Sequence, residues 1–541
     1  MNFLLSKRWL IALVIAGIVL ILLLATAPQI GLTWDEPAYI AAADSYMGWF
    51  GKVFTDPAAA FSPKTLSTAW GVNSEHPPLD KVWSGVVYLL TRNFTDDLTA
   101  HRIGNMILVA VMIGLIYYLV SESYGNLAGF SASAALLTMP RFFFHAHLAA
   151  LDVPAAFSVV CVIFVFWKTL SKPSWKWSVL LGVVWGLALA TKINAIFVPV
   201  GLVLWWLIFR RDRALFFRFL IMGMTAIPVF ILVWPWLYVD TFSRIWDYLL
   251  FMTVTHWKIG QYYLGHFFMP PPWHFGFVML WAVLPLGITI LYFAGIAKTI
   301  RVKENRQLGW LLILNAVIPI LAIANGRSMV YDNDRLMMAS FPFLACLAGI
   351  GLQWIVSSWG KLAERFKQPY AKTLGVTVLL VLAFVPQLIS MVRLYPHYLS
   401  YYGEGVGGLP GATRMGLETT YWCETYKLAL PILNEQAQPN AKIWVDPWSH
   451  DVMIYYQTIG LLRDDLIILV PSENISVFGV DAPQPVVGSM AKADWFVYEY
   501  RQTTWGEQGD QSEIARVIAR QQLIYEYRYD DIPLLGVYKA P

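Results

Sequence analysis

The chain is poor in charge and in cysteine. Only 14% of its 541 residues are Asp, Glu, Lys or Arg, where a soluble domain carries roughly 25%. Its three cysteines, Cys161, Cys346 and Cys423, are too few and too scattered for a disulfide framework or a cysteine-ligated metal. Two of them lie in apolar runs, where a thiol behaves as a small hydrophobe. Low-complexity repeats are also missing, which excludes disordered and collagen-like classes. What is abundant is apolar side chain: 57% hydrophobic and 15% aromatic. A soluble domain could not cover that much with polar surface, so the composition predicts a polytopic membrane protein.

The charges divide the chain. Residues 1–393 hold 29 Lys+Arg and 17 Asp+Glu, a balance of +12; residues 394–541 hold 10 and 18, a balance of −8, giving the overall +4. The break predicts a membrane-embedded domain, 1–393, followed by an acidic, extracytoplasmic soluble domain, 394–541. The net charge is too small and too dispersed to suit nucleic acid, and no such partner is expected.

Eleven apolar runs predict transmembrane helices: 9–27, 101–121, 127–146, 150–168, 177–191, 193–209, 215–239, 273–297, 308–324, 336–357 and 372–393. Several fall short of the roughly 20 residues a crossing needs. The first follows Lys7-Arg8 and has only a weak small-residue cleavage site, so it reads as an uncleaved span rather than a signal peptide. A shorter run, Lys81–Leu90, sets the orientation. If it stays out of the bilayer, the basic loops Lys168–Lys176, Arg210–Arg213, Lys298–Arg306 and Lys361–Lys372 all face the cytoplasm, as the positive-inside rule demands. It is therefore read as a juxtamembrane or half-inserted helix, in a first outer loop of residues 28–100. The amino terminus is then cytoplasmic, and the tail lies outside a cell or inner membrane.

The expected fold class is mainly α: a polytopic helical membrane protein with a C-terminal soluble α/β domain. In the tail, strand-like runs are Lys442–Val445, Leu466–Val470, Trp495–Tyr500, Ile524–Tyr529 and Leu534–Tyr538, and helical runs are Cys423–Asn434 and Glu513–Gln522. A linking stretch, Tyr395–Glu424, is rich in tyrosine and contains Gly405-Val406-Gly407-Gly408.

Three outward constellations could carry chemistry. The first is Thr33-Trp34-Asp35-Glu36-Pro37-Ala38-Tyr39, after the first span. Adjacent acids on a helix point about 100° apart, so both cannot aim at one atom. One could take a proton from an incoming hydroxyl or amine; equally, both could be solvated acids favoured by a helix amino end. The second is Glu75-His76-Pro77-Pro78-Leu79-Asp80-Lys81. Its two prolines stiffen the approach to Lys81, which could meet a phosphate or simply snorkel at the interface. The third runs from Arg141 through His145 and His147 to Asp152 and Pro154. A carboxylate at a span's rim is expensive without a partner, which marks Asp152 as functional or as a helix N-cap. His145, His147 and Asp152 offer too few convergent ligands for a metal site, and none is expected. Arg102, Lys192 and Arg335 stand at other outer turns, Arg335 with Arg327 flanking Asp332 and Asp334. Cations ringing a low-dielectric cavity suit an anionic substrate, although each could equally be an ion pair or an interface anchor.

Together these residues resemble the GT-C glycosyltransferases, in particular the group holding the protein O-mannosyltransferases and the lipid A aminoarabinose transferases. The resemblance rests on Asp35-Glu36 after span one, His76-Pro77-Pro78-Leu79-Asp80-Lys81, Arg102, Arg141 through Asp152-Val153-Pro154, Thr191-Lys192, and the stretch from Tyr395 to Gly408 with Glu418 to Trp422. It implies a GT-C fold and inverting transfer of a sugar from a polyprenyl-phosphate-linked donor. The acceptor would be a hydroxyl or amine of a glycan, lipid or protein at the outer face of the membrane. It further implies Asp35 as catalytic base, Glu36 as acceptor contact and Asp152 as the second acid. Lys81 would serve the donor phosphate, with His76, Tyr39, Arg102, Arg141, Lys192 and Arg335 as substrate-binding positions. No cofactor is required, and a divalent metal is not indicated. One departure stands out: the family pattern usually has glycine before the lysine, where this chain has Asp80. The alternative is a polytopic transporter or lipid flippase, which would show inverted repeats and ionisable residues at mid-membrane; none is visible.

Overall fold

The computed structural model describes residues 7–172, 174–255, 258–364, 370–472, 483–503 and 511–541. Seven described helices are long and apolar enough to cross a bilayer: Lys7–Gln29, Asp97–Tyr124, Asp152–Thr169, Arg213–Val233, Arg306–Ile323, Arg335–Ala363 and Ala371–Leu394. Phe275–Val283 and Leu286–Arg301 form a further pair bent by 120°, and Asn126–Leu137, Trp175–Thr191 and Ile193–Phe209 are shorter apolar helices. Each of the eleven apolar runs falls on one of these. The chain is an integral membrane protein, mainly helical.

Helix starts follow local chemistry. Asp96 accepts from the Thr99 amide at 2.9 Å to open Asp97–Tyr124, and Asp212 accepts from Leu215 at 2.8 Å to open Arg213–Val233. Each supplies an acceptor for an otherwise orphaned helix N–H. The run expected at Lys81–Leu90 is the helix Leu79–Thr91, which buries Asp80, Lys81, Ser84, Gly85 and Val87 while Leu89 and Leu90 stay exposed.

The tail holds a six-stranded sheet. Counting the small hairpin β1 (Gln261–Tyr263) and β2 (His266–Phe268) first, its strands are β3 (Lys442–Asp446), β4 (Ile467–Val470), β5 (Val486–Val487), β6 (Trp495–Glu499), β7 (Gln522–Tyr529) and β8 (Ile532–Lys539), in the order β5-β4-β3-β6-β8-β7. β5, β4, β3 and β6 are parallel and β8 and β7 antiparallel. The helix His450–Thr458, with its β-branched and aromatic residues, gave no helical signal in the sequence. The expected helix Cys423–Asn434 is split into a 3-10 turn, Glu424–Ala429, and a short helix, Leu430–Gln436, with Pro431 at the start of the second.

Two seams tie the tail to the membrane helices. Gly31 abuts Glu424 so closely that a Cβ there would meet the Glu424 carbonyl oxygen at 2.0 Å. At the bent helix pair, the Gly403 amide donates to the Ala282 carbonyl at 2.7 Å and Glu404 caps the Leu286 amide at 2.9 Å. These contacts supply partners where the bend leaves backbone groups free.

Candidate active site

Three sequence-distant segments and a neighbour in its own turn converge on one guanidinium. Arg335 opens the turn leading into Phe341–Ala363. Its Nη2 donates to Asp35 Oδ2, its Nε to Asp152 Oδ2 at 2.7 Å and its Nη1 to Asp332 Oδ2 at 3.0 Å. Its plane lies 4.1 Å from the Trp422 ring centroid. A planar fork with five donors can hold three carboxylates at once, where a lysine could not. Lys192, at the end of Trp175–Thr191, donates to the other Asp152 oxygen at 2.5 Å. Asp152 is therefore bridged between two cations. The N-cap alternative for it does not hold: Leu151 occupies that position, and both Asp152 oxygens point away from the helix amides.

Asp35 differs from its partners in being open. Both of its hydrogen bonds, from Arg335 and from Tyr39 Oη at 3.2 Å, fall on Oδ2; Oδ1 receives none among the described residues. Its side chain is 25% exposed, against 2% for Asp152. Burial raises its pKa, with Arg335 pulling the other way. Tyr39 meets the His76 ring edge-on, 5.9 Å between centroids. Burial, reinforced by Lys192, Lys81 and Arg335, holds His76 well below the usual histidine range, so the ring is neutral.

Several expected site residues are placed elsewhere. Glu36 is fully buried and accepts from Thr33 N and Oγ1, Arg102 Nε and Nη2, and Ala149 N, all within 3.0 Å. Both oxygens are thus engaged within the protein, in a structural network around Arg102. Arg102 also donates to the Ile30 and Gly31 carbonyls, so it braces the segment after the first helix, and it lines a separate cavity with Ile30, Pro37, Asp96 and Tyr455. Lys81 is 1% exposed and gives its three protons to Asn73 O, Asn73 Oδ1 and His76 O. It fixes the loop that carries His76, and the phosphate contact expected of it is not available in this arrangement. Arg141 pairs with Asp334 at 2.5 Å and donates to the Tyr401 carbonyl at 3.0 Å. His147 is held by Thr26 and the Phe143 carbonyl, and His145 by Tyr421. Among the described residues no three His, Cys, Asp or Glu side chains form a metal-binding group.

The sequence reading missed a second layer. Asp332 also accepts from Arg501 at 2.7 Å, and Arg501, just beyond the end of β6, reaches Glu418 at 3.2 Å. Glu418 is fully buried and takes donors from Gln261, Asn333 and the Thr503 amide. These residues adjoin only in three dimensions; the one sequence signal was the stretch Glu418 to Trp422. Leu336, the chain neighbour of Arg335, lines a mostly apolar cleft with Ala155, Val159, Val198, Ile318 and Ala322.

Comparison with known proteins adds an independent line. Residues 75–239 match the family model of the dolichyl-phosphate-mannose-protein mannosyltransferases, a segment that contains His76, Lys81, Arg102, Arg141, Asp152 and Lys192. No curated protein sequence matches the chain. Among solved structures, ArnT from Cupriavidus metallidurans aligns over 98% of both chains with a TM-score of 0.52 and 16% identity, both in the apo state and bound to undecaprenyl phosphate. The Archaeoglobus fulgidus oligosaccharyltransferase aligns over 85% of this chain and 64% of its own, with a TM-score of 0.49 and 12% identity. The resemblance to GT-C membrane glycosyltransferases is thus matched by an ArnT-like fold over 98% of the chain and by similarity to the mannosyltransferase family model over residues 75–239.

Proposed function

We propose that the protein is an inverting glycosyltransferase that moves a sugar from a polyprenyl-phosphate carrier to an acceptor hydroxyl or amine at the outer face of the membrane. The observation that carries this reading is the asymmetry of Asp35: one oxygen is pinned by Arg335 and Tyr39, the other is unbonded and reachable. In the proposed reaction the acceptor oxygen or nitrogen attacks the anomeric carbon, its proton passes to Asp35 Oδ1, and the bond from that carbon to the phosphate oxygen breaks. The polyprenyl phosphate leaves with the electron pair. A carboxylate raised by burial is a better base than one in water.

Cations fixed in a dry pocket stabilise charge developing on the leaving phosphate. Lys192 and Arg335 are the cations of the cluster, and the apolar cleft that Leu336 lines suits the prenyl chain. Asp152 holds both in place. The family model's name and the undecaprenyl phosphate bound to ArnT support a lipid-linked donor. Which sugar moves, and whether the acceptor is a glycan, lipid or protein, is to be read from the experiment. Purified protein in lipid is given a panel of polyprenyl-phosphate sugars, and release of lipid phosphate is followed. Equal release by wild type and Asp35→Ala would overturn the assignment.

A further inference from the structure

A motif of the linking stretch, Ser400-Tyr401-Tyr402-Gly403-Glu404, takes no part in the transfer chemistry, yet it walls a separate cavity of about 340 Å³. That volume falls in the range of small-molecule sites. The remaining wall comes from Arg393, Tyr529, Asp530 and the Gly407-Gly408 turn. Gly407 and Gly408 both have positive φ, 82° and 65°, a conformation open to glycine at little cost.

The wall carries two kinds of group. One is a set of aromatic hydroxyl-bearing faces, Tyr401, Tyr402 and Tyr529. The other is polar: Glu404, Asp530, Arg393 and two buried hydroxyls. Ser400 Oγ is buried without a hydrogen-bond partner among the described residues, a state that costs on the order of 1–3 kcal/mol unless something satisfies it, and the Tyr401 hydroxyl is turned toward Glu404. Tyr402 Oη is already committed to the Glu418 carbonyl at 2.6 Å. Arg393 is paired with Asp530 at 2.9 Å, so with Glu404 added the cavity holds two carboxylates against one cation. That balance disfavours a phosphate. It suits a ring of hydroxyls, which can donate to carboxylates, accept from Ser400 and Tyr401, and lay its C–H face on tyrosine.

The cavity also sits where a lipid would deliver such a ring. Ser390 and Arg393 belong to the last turns of Ala371–Leu394, the final apolar helix. That helix exposes Leu382, Val385, Leu388, Ile389 and Val392, the last at 81%. An acyl chain lying along this face would place its headgroup at the cavity mouth.

We infer that this cavity binds the sugar headgroup of a membrane glycolipid, at a site separate from the Asp35–Arg335 cluster. The test uses the full chain in nanodiscs of phosphatidylcholine. One set contains 10 mol% monoglucosyl diacylglycerol, a second contains phosphatidylglycerol in its place, and a third has methyl glucoside in the buffer. Native mass spectrometry counts the molecules retained. Wild type is expected to retain one glucolipid, and Tyr401→Phe and Ser400→Ala to lower retention several-fold, with unfolding temperatures in phosphatidylcholine alone no lower than that of wild type. Equal retention by wild type and both variants would overturn the site. Preferential retention of phosphatidylglycerol would overturn the sugar, and binding of methyl glucoside as strongly as the lipid would overturn the lipid. None of these readings depends on transferase activity, so the inference and the proposed function fail separately.

Discussion

Two buried arginine–carboxylate centres lie one residue apart in sequence and have opposite characters. At Glu36–Arg102 both carboxylate oxygens and four of the five guanidinium N–H groups are bonded inside the protein, and both side chains are within 1% of full burial. At Asp35–Arg335 the cation is oversubscribed, with three carboxylates on one guanidinium, while one of those carboxylates keeps a bare oxygen. The first is scaffolding: it ties the start of the helix Glu36–Thr55 to Asp97–Tyr124 and, through the Ala149 amide, to the turn before Asp152. The second has the unequal satisfaction that a reacting group needs. Two adjacent acids diverge by about 100° on a helix, and here the divergence sends one inward and leaves the other partly exposed.

The sharpest way to break this contrast is at Asp35 itself. Asp35→Asn keeps the shape and the bond from Tyr39 but removes the base. Turnover is expected to fall roughly 10²–10⁴-fold, with the thermal unfolding temperature near that of wild type. In the wild type the activity should rise with pH along a limb set by Asp35. Because burial raises this carboxyl, the limb should lie above the ordinary aspartate value of about 3.9, and it should vanish in Asp35→Asn. A rate that stays high in the variant, or an acidic limb that survives it, would place the base elsewhere.

Glu36→Ala should behave in the reverse way. Removing one partner of a buried pair leaves Arg102 uncompensated and costs about 3–5 kcal/mol. The expected result is a large loss of folded protein, measured by thermal unfolding in detergent, with residual activity in proportion to the folded fraction. A stable but inactive Glu36→Ala would mean that Glu36 meets the acceptor after all.

How much of this was legible in the sequence follows the same division. Asp35, Asp152, Lys192 and Arg335 stood out because a charge at the end of an apolar span demands an explanation, and that demand is visible in each turn by itself. The partners were not legible. Nothing in the sequence says that Glu36 will face Arg102 rather than solvent, or that Lys81 will turn back to Asn73 and His76, because both depend on how loops close over them. Arg501 was invisible for another reason: it follows an ordinary strand some 166 positions after Arg335, and only the tertiary fold brings it to Asp332. The tail's strands were legible from their apolar runs, whereas His450–Thr458 was not, its composition favouring strand as much as helix.

Arg501 gives a smaller, graded test of the open centre. Arg501→Gln should leave Asp332 with Arg335 as its remaining cation, drawing that guanidinium away from Asp35 and Asp152. A loss of about tenfold in kcat is expected, the scale of one charge-assisted hydrogen bond, with KM for the lipid donor little changed. Arg501→Lys should recover part of it. If both variants match wild type in kcat, the tail contributes no positioning to the site.

The smallest effect concerns a third acid, Asp80, which stands where the related pattern usually has glycine. Like Asp35 it is raised by burial, to about 7, but no guanidinium answers it. Its nearest polar partner is the Asn105 amide at 3.5 Å, its Oδ1 is buried without a hydrogen bond, and the adjacent Lys81 has its protons committed to Asn73 and His76. The native state therefore holds the Asp80 proton more tightly than the unfolded chain does. The stability it adds is fully present below about pH 4 and is lost as pH rises through about 7. Asp80→Asn abolishes that titration. Unfolding temperatures of variant and wild type should converge near pH 4, and the variant should become the more stable of the two as the pH approaches 7. Lys81, itself pushed down to about 7 by burial, loses a favourable neighbour in the variant, which keeps the gain small. A variant less stable than wild type at pH 8 would mean that the ionised Asp80 supports Lys81 more than its own burial costs, making the pair a third centre of the Glu36–Arg102 kind.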